Sequence, residues 1–197
     1  MKTIPIILLA AGAGRRMGRD KLLLPVHGRP LLHRVATHAL ASGAPLFVTL
    51  PQNDMARREA IKDLDLTRIA VPNPGEGMAA SLRAGLAAIP QTAPAVVVAL
   101  GDMPDVTGDD INRLIKAFLA DPESRIHRAA SADGVAGNPV LLPRWALEAN
   151  EFSGDSGARA ILQQHAERVV LVPLPGRHAL QDLDTPKDWE NWISGKG

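Results

Sequence analysis

The chain has 197 residues, 46% of them hydrophobic and 22% charged, with 22 Lys plus Arg against 21 Asp plus Glu and a formal net charge of +1. That balance offers no broad field for gripping nucleic acid, and three Phe, three Trp and no Tyr make no base-stacking platform. The absence of Cys excludes disulfides, Cys-ligated metal centres and thiol catalysis, and no run of about 20 apolar residues marks a membrane span.

Ile4 to Ala10 reads as a buried strand rather than a signal sequence, because it flows into Gly12-Ala13-Gly14-Arg15-Arg16 without a clean cleavage site. Pro30 suits the first turn of a helix carrying Leu31, Leu32, Val35, Ala36, Ala39 and Leu40, and Gly43 is placed to stop it. Leu46 to Leu50 and Arg68 to Val71 read as strands, Asp54 to Lys62 and Ser81 to Ile89 as helices. Ala95 to Leu100, with its run of valines, is the clearest buried strand, and Asp109 or Asp110 begins the next helix. Past Ala120 the rhythm loosens. Arg125 to Ala130, Val140 to Leu142 and Val169 to Val172 read as strands, Ala158 to His165 as a helix, and Lys187 to Ile193 as a terminal helix anchored by Trp189 and Trp192. The alternation predicts one α/β domain over residues 1–197, Rossmann-like, with a mostly parallel central sheet flanked by helices. Such a chain is expected to be soluble and cytoplasmic.

In sheets of this class ligands bind beyond the carboxyl ends of the strands. Three polar segments fall there. The first runs from Leu9, Ala10, Ala11 and Gly12 through Gly14, Arg15, Arg16 and Gly18 to Lys21. Glycines let backbone N–H groups approach an anion, and the cations supply counter-charge, so a triphosphate is the natural ligand and a plain surface turn the bland alternative. The loop lacks the Gly-Lys-Ser/Thr of a Walker loop, and its G-x-G-x-x-x-G spacing leaves an NADP-dependent oxidoreductase open. The second segment is Gly101-Asp102-Met103-Pro104-Asp105, where Asp102 is the candidate Mg²⁺ ligand and Asp105 the better helix cap. The third is Asp182-Leu183-Asp184-Thr185-Pro186; its alternating carboxylates complete a metal site, or Asp184 or Thr185 caps the last helix. The histidines are scattered without metal-ligand spacing.

Six segments occur in one order: Leu9 to Lys21, Asn73 to Gly85, Gly101 to Pro104, Gly137 to Val140, Gly154 to Arg159 and Asp182 to Pro186. Together they resemble the molybdenum cofactor nucleotidyltransferase family, and within it the cytidylyltransferases, through Leu9-Ala10-Ala11-Gly12. The resemblance implies Mg²⁺-dependent transfer of CMP from CTP to a molybdopterin-type cofactor, with release of pyrophosphate. It implies that the loop backbone, Arg16 and Lys21 bind the triphosphate, that Asn73, Gly77, Met78 and Ser81 lie near base and ribose, and that Asp102 carries the metal with Asp184 as second ligand. Gly137, Asn138, Pro139, Gly154, Asp155 and Ser156 would line the pterin side. A molybdoenzyme or its chaperone would take the product. The alternatives are guanylyl transfer from GTP to the same cofactor, cytidylyl transfer to a sugar or polyol phosphate, and the oxidoreductase above; a non-enzymatic cofactor carrier is a further one.

Overall fold

The computed structural model of the chain describes residues 3–12, 18–148 and 158–195. Buried aliphatic runs form its strands. They are β1 (Ile6–Leu9), the two-residue β2 (Pro25–Val26) and β3 (Arg29–Pro30), β4 (Leu46–Pro51), β5 (Thr67–Val71), β6 (Ala95–Leu100), β7 (Ile126–Ala130), β8 (Ala136–Pro143) and β9 (Val169–Pro173). Seven of them make one sheet in the order β5-β4-β1-β6-β8-β7-β9, while β2 and β3 pair as a small hairpin. Strand β1 lies parallel between β4 and β6, with Ile6 opposite both Leu46 and Val97. Strand β8 alone reverses, running antiparallel to β6 and to β7. The sheet is therefore mostly parallel, and β6 and β7 end on the same edge as β1.

The helices are α1 (Leu31–Leu40), α2 (Met55–Ala60), α3 (Met78–Ala88), α4 (Gly108–Leu119), α5 (Arg144–Glu148), α6 (Arg159–Gln164) and α7 (Pro186–Ile193). Alternate residues of β1 sort to opposite faces, as the pleat requires. Ile6 and Leu8 join a core with Leu32 of α1, Leu114 of α4 and Trp189 of α7; Ile7 and Leu9 join another with Leu82 of α3, Leu147 of α5 and Ile161 of α6. Among the described residues no helix is long and apolar enough to cross a membrane.

Several local expectations shift. Helix α3 starts at Met78, three positions before Ser81. Helix α4 starts at Gly108: Thr107 is the cap, and Asp110 turns back to accept from the Thr107 N–H at 2.9 Å in a capping box. Asp105 does not cap; its carboxylate accepts from the indole N–H of Trp192 at 2.9 Å, tying α7 to the loop after β6. Strand β8 extends well beyond Val140–Leu142: β6 pairs it from Val140 to Pro143, and β7 carries it on to Ala136 across an irregularity in register that spans Gly137, Asn138 and Pro139. The β2–β3 hairpin was not anticipated; it turns at His27 and Gly28, both at positive φ, a geometry that glycine at the second position tolerates.

Candidate functional site

A cleft of about 620 Å³ opens beyond the carboxyl ends of β1 and β6. Leu9 to Gly12, Lys21, Gly77, Met78, Ser81, Gly101, Asp102, Asp182 and Asp184 all line it. Lys21 opens a 3-10 turn whose first N–H groups are capped by Asp20, and the buried Leu22 anchors that turn in the core. From this base the Lys21 ammonium donates to Asp102 Oδ2 at 2.7 Å and to Asp184 Oδ1 at 2.7 Å. Burial alone would lower the Lys21 pKa, but Asp102 and then Asp184 hold it above the ordinary range, so the side chain is a fixed cation. Asp182 shows the opposite stress: loss of water around it, then the charges of Asp184 and Asp102, raise its carboxyl pKa.

The donor set can be compared with what a divalent ion asks for. Magnesium is typically held by one or two carboxylates together with substrate phosphates. Asp102 and Asp184 converge on a single cation position, the one Lys21 fills. No group of three or more His, Cys, Asp or Glu with metal-holding geometry occurs among the described residues. The two carboxylates fit a magnesium ion that enters with phosphates, and Asp102 and Asp184 are the residues that would hold it.

Asp184 is available for this because the cap of α7 falls to Thr185, which accepts from Asp188 N while Asp188 Oδ2 accepts from Thr185 N at 2.8 Å. The segment from Leu174 to Asp184 forms a strap across the sheet edge. His178 Nδ1 lies 2.8 Å from the buried Asp110 Oδ2, Asn138 N donates to Ala179 O at 2.9 Å, and Leu183 N donates to Asp102 O at 3.1 Å. A Cβ at Gly137 would stand 1.9 Å from Ala179 O, so only glycine lets the strap lie this close to β8.

Sequence reasoning missed Arg57. It lies on α2 and is 3% exposed. Its Nη1 donates to Ala10 O at 2.7 Å and its Nη2 to Gly12 O at 2.9 Å, while Nε reaches Asp20 Oδ2 at 2.7 Å. The guanidinium thus ties together the two ends of the glycine-rich loop. One fork holding a carboxylate and two carbonyls is a geometry that lysine cannot reproduce.

Other expected site residues are distributed unevenly. Ser81, Met78 and Gly77 reach the cleft at the start of α3, whereas Asn73 is exposed outside its lining and Pro74 and Gly75 stand there instead. Ala11 is buried against Val71 and Ala80. Gly137 and Pro139 are buried and Asn138 half-buried, and none of them lines the cleft. Gly14, Arg15, Arg16, Gly154, Asp155 and Ser156 lie outside the described residues.

The profile of the MobA-like NTP transferase domain matches residues 6–169. The chain is 35% identical over 189 residues to the molybdenum cofactor guanylyltransferase of Rhodobacter capsulatus, covering 92% of this chain and 90% of that one. It is 33% identical over 189 residues to nicotine blue oxidoreductase of Paenarthrobacter nicotinovorans, covering 91% of each. Among solved structures, Rv0371c from Mycobacterium tuberculosis superposes with a TM-score of 0.83 at 28% identity, covering 98% of this chain and all of that one (100%). A manganese complex of that protein superposes at 0.81, with 28% identity and 98% of both chains covered.

Proposed function

The chain belongs to the MobA-like NTP transferase family, and from that premise we propose that it transfers a nucleotidyl group from a magnesium-bound nucleoside triphosphate to the terminal phosphate of a molybdopterin-type cofactor. The observation that carries this reading is the Lys21 ammonium held between Asp102 and Asp184, beside the glycine-rich loop, in one cleft. The relatives named as guanylyltransferases support GTP as donor, so the product would carry GMP. A second reading, CTP, is favoured by one packing detail. Ala11 lines the cleft, and a methyl at that position leaves less room for a two-ring base than glycine would.

The acceptor phosphate is already ionised near neutrality, so no general base is needed. One of its oxygens bonds to the α-phosphorus; the α-phosphorus to bridging-oxygen bond breaks in line, and pyrophosphate leaves with the electron pair. Lys21 holds the leaving phosphates, a role that the family resemblance extends to Arg16. Arg57 fixes the ends of the loop whose backbone meets them. Asp102 and Asp184 would hold a divalent ion, which would supply neutralisation of phosphate charge. The remaining contribution is positioning.

The test is pyrophosphate release with molybdopterin as acceptor and GTP or CTP as donor, each with and without Mg²⁺, beside equilibrium binding of NADPH. Mg²⁺-dependent release with GTP supports the first reading and with CTP the second. Release with neither, together with tight NADPH binding, would move the chain toward the chemistry in the name of its oxidoreductase relative.

A further inference from the structure

A second basic group sits on the sheet away from Lys21. Arg128 of β7 is in register with Val140 of β8, and Val140 with Val98 of β6. Val98 and Val140 belong to the apolar layer under α3 and α6, and residues in register on neighbouring strands share a face. Arg128 therefore continues that row, on the face from which Leu100, two positions beyond Val98, lines the cleft. Two strand spacings put it about 10 Å along the sheet from the β6 row. Its Nε donates to Gly137 O at 2.8 Å, which directs the guanidinium to the edge where β8 begins. Arg159 opens α6, whose Ile161 packs into the same layer.

Neither arginine has a carboxylate partner among the described residues. Arg128 is the half-buried one of the two, and comparable cations are compensated: Lys21 and Arg57 by carboxylates, Arg144 by the carbonyls of Pro90 and Ala93. Arg128 satisfies a single carbonyl. Its own burial and then the charge of Arg159 push its pKa below the ordinary arginine range, which is what an uncompensated pair of like charges produces. Arg128 is half-buried and Arg159 exposed, so the cost falls on Arg128, whose burial beside a like charge is unfavourable until an anion joins it.

We propose that Arg128 and Arg159 form an oxyanion subsite that holds a phosphate-class group of the acceptor, beside the nucleotide cleft and separate from the Lys21 loop. The identity of the acceptor rests on the nucleotidyl-transfer reading; the existence of the anion subsite does not. Planar guanidinium forks suit phosphate oxygens, and two of them would grip and orient one such group.

Two experiments separate these levels. In steady-state transfer with molybdopterin, Arg128→Gln and Arg159→Gln each raise the acceptor KM by about tenfold and leave the donor KM unchanged. Glutamine keeps an amide donor for Gly137 O, so a purely structural role predicts no KM change, and that result overturns the subsite. Arg128→Lys recovers part of the loss because it restores charge. Independently, inorganic phosphate raises the melting temperature of Lys21→Ala protein, and adding Arg128→Gln abolishes the rise. An equal rise in both proteins overturns the subsite. A rise that depends on Arg128, in a protein that releases no pyrophosphate with any donor, upholds the subsite and removes the transferase reading.

Discussion

Leu183 N donates to Asp102 O at 3.1 Å, so the strap that carries Asp182 and Asp184 is stitched to the strand end that carries Asp102. The carboxylates from two distant parts of the chain are therefore set by backbone, and Lys21 then pairs with Asp102 and Asp184 through their side chains.

If that arrangement holds a metal–nucleotide, removing one carboxylate charge should cost turnover without costing the fold. Asp102→Asn is expected to lower pyrophosphate release by roughly 10²–10³-fold, in the range seen for other single electrostatic groups. Asp184→Asn should act in the same direction and raise the Mg²⁺ concentration needed for half-maximal rate. Mg²⁺ titration of each variant, beside circular dichroism, checks this; near-normal rates in both would remove the metal role.

Arg57 should behave as a positioning residue. Arg57→Ala breaks a buried ion pair with Asp20 and strands two carbonyls, a loss on the order of 3–5 kcal/mol. Arg57→Lys keeps the charge but cannot span Ala10, Gly12 and Asp20 together, so the donor KM should rise by about tenfold while kcat falls less. Denaturant melts and donor kinetics on the two variants decide it. A lysine variant with wild-type donor KM would show that loop geometry does not depend on the fork.

Gly137→Ala should displace the strap rather than the sheet, since the new methyl meets the backbone oxygen of Ala179. Transfer should drop sharply and the apparent Mg²⁺ affinity weaken, with secondary structure retained. A variant that keeps full activity would mean the strap can lift without disturbing Asp184.

Two histidines set an acid limit on stability. Burial is the main cause that lowers the pKa of His127 and of His38; for His38 the Arg34 charge adds to it. Below their ordinary pKa of about 6.5 the unfolded chain binds protons that the folded chain refuses, so stability falls as pH drops through that window. The melting temperature should decline between pH 7.5 and pH 5.5, and His127→Phe should flatten the decline. His127 stands edge-on to Phe118, with ring centres 5.9 Å apart, so a phenyl ring keeps that contact while giving up the pairing of Nδ1 with Arg125 O at 3.0 Å and the approach of Nε2 to Asp121 at 3.8 Å. An unchanged slope in that variant would assign the acid sensitivity elsewhere.

Much of the architecture was legible because its causes are local. Runs such as Ala95 to Leu100 are buried on both faces and read as continuous apolar strands. The meeting of Lys21 with Asp102 was also foreshadowed, since both follow strands that end on one edge of a parallel sheet. Arg57 was not legible. Its partner Asp20 lies 37 positions away, and nothing in Met55-Ala56-Arg57-Arg58 marks which arginine turns inward. Asp184 and Thr185 were competing caps in the sequence, and the hydroxyl took the role in a reciprocal box with Asp188. Gly137 read as a ligand-lining residue, yet the strap packed on it lies some forty positions downstream, beyond the reach of any local pattern.

The lone reversed strand, β8, bears on how proteins with this sheet diversify. Most of the described cleft lining comes from Leu9 to Asp102, with Asp182 and Asp184 added by the strap, whereas β8 delivers its opening residues to the same edge from the later part of the chain. If a second substrate is met at that opening, inherited changes there can alter its choice while the residues around Lys21 stay intact. One scaffold can thereby give rise to descendants with differing trades.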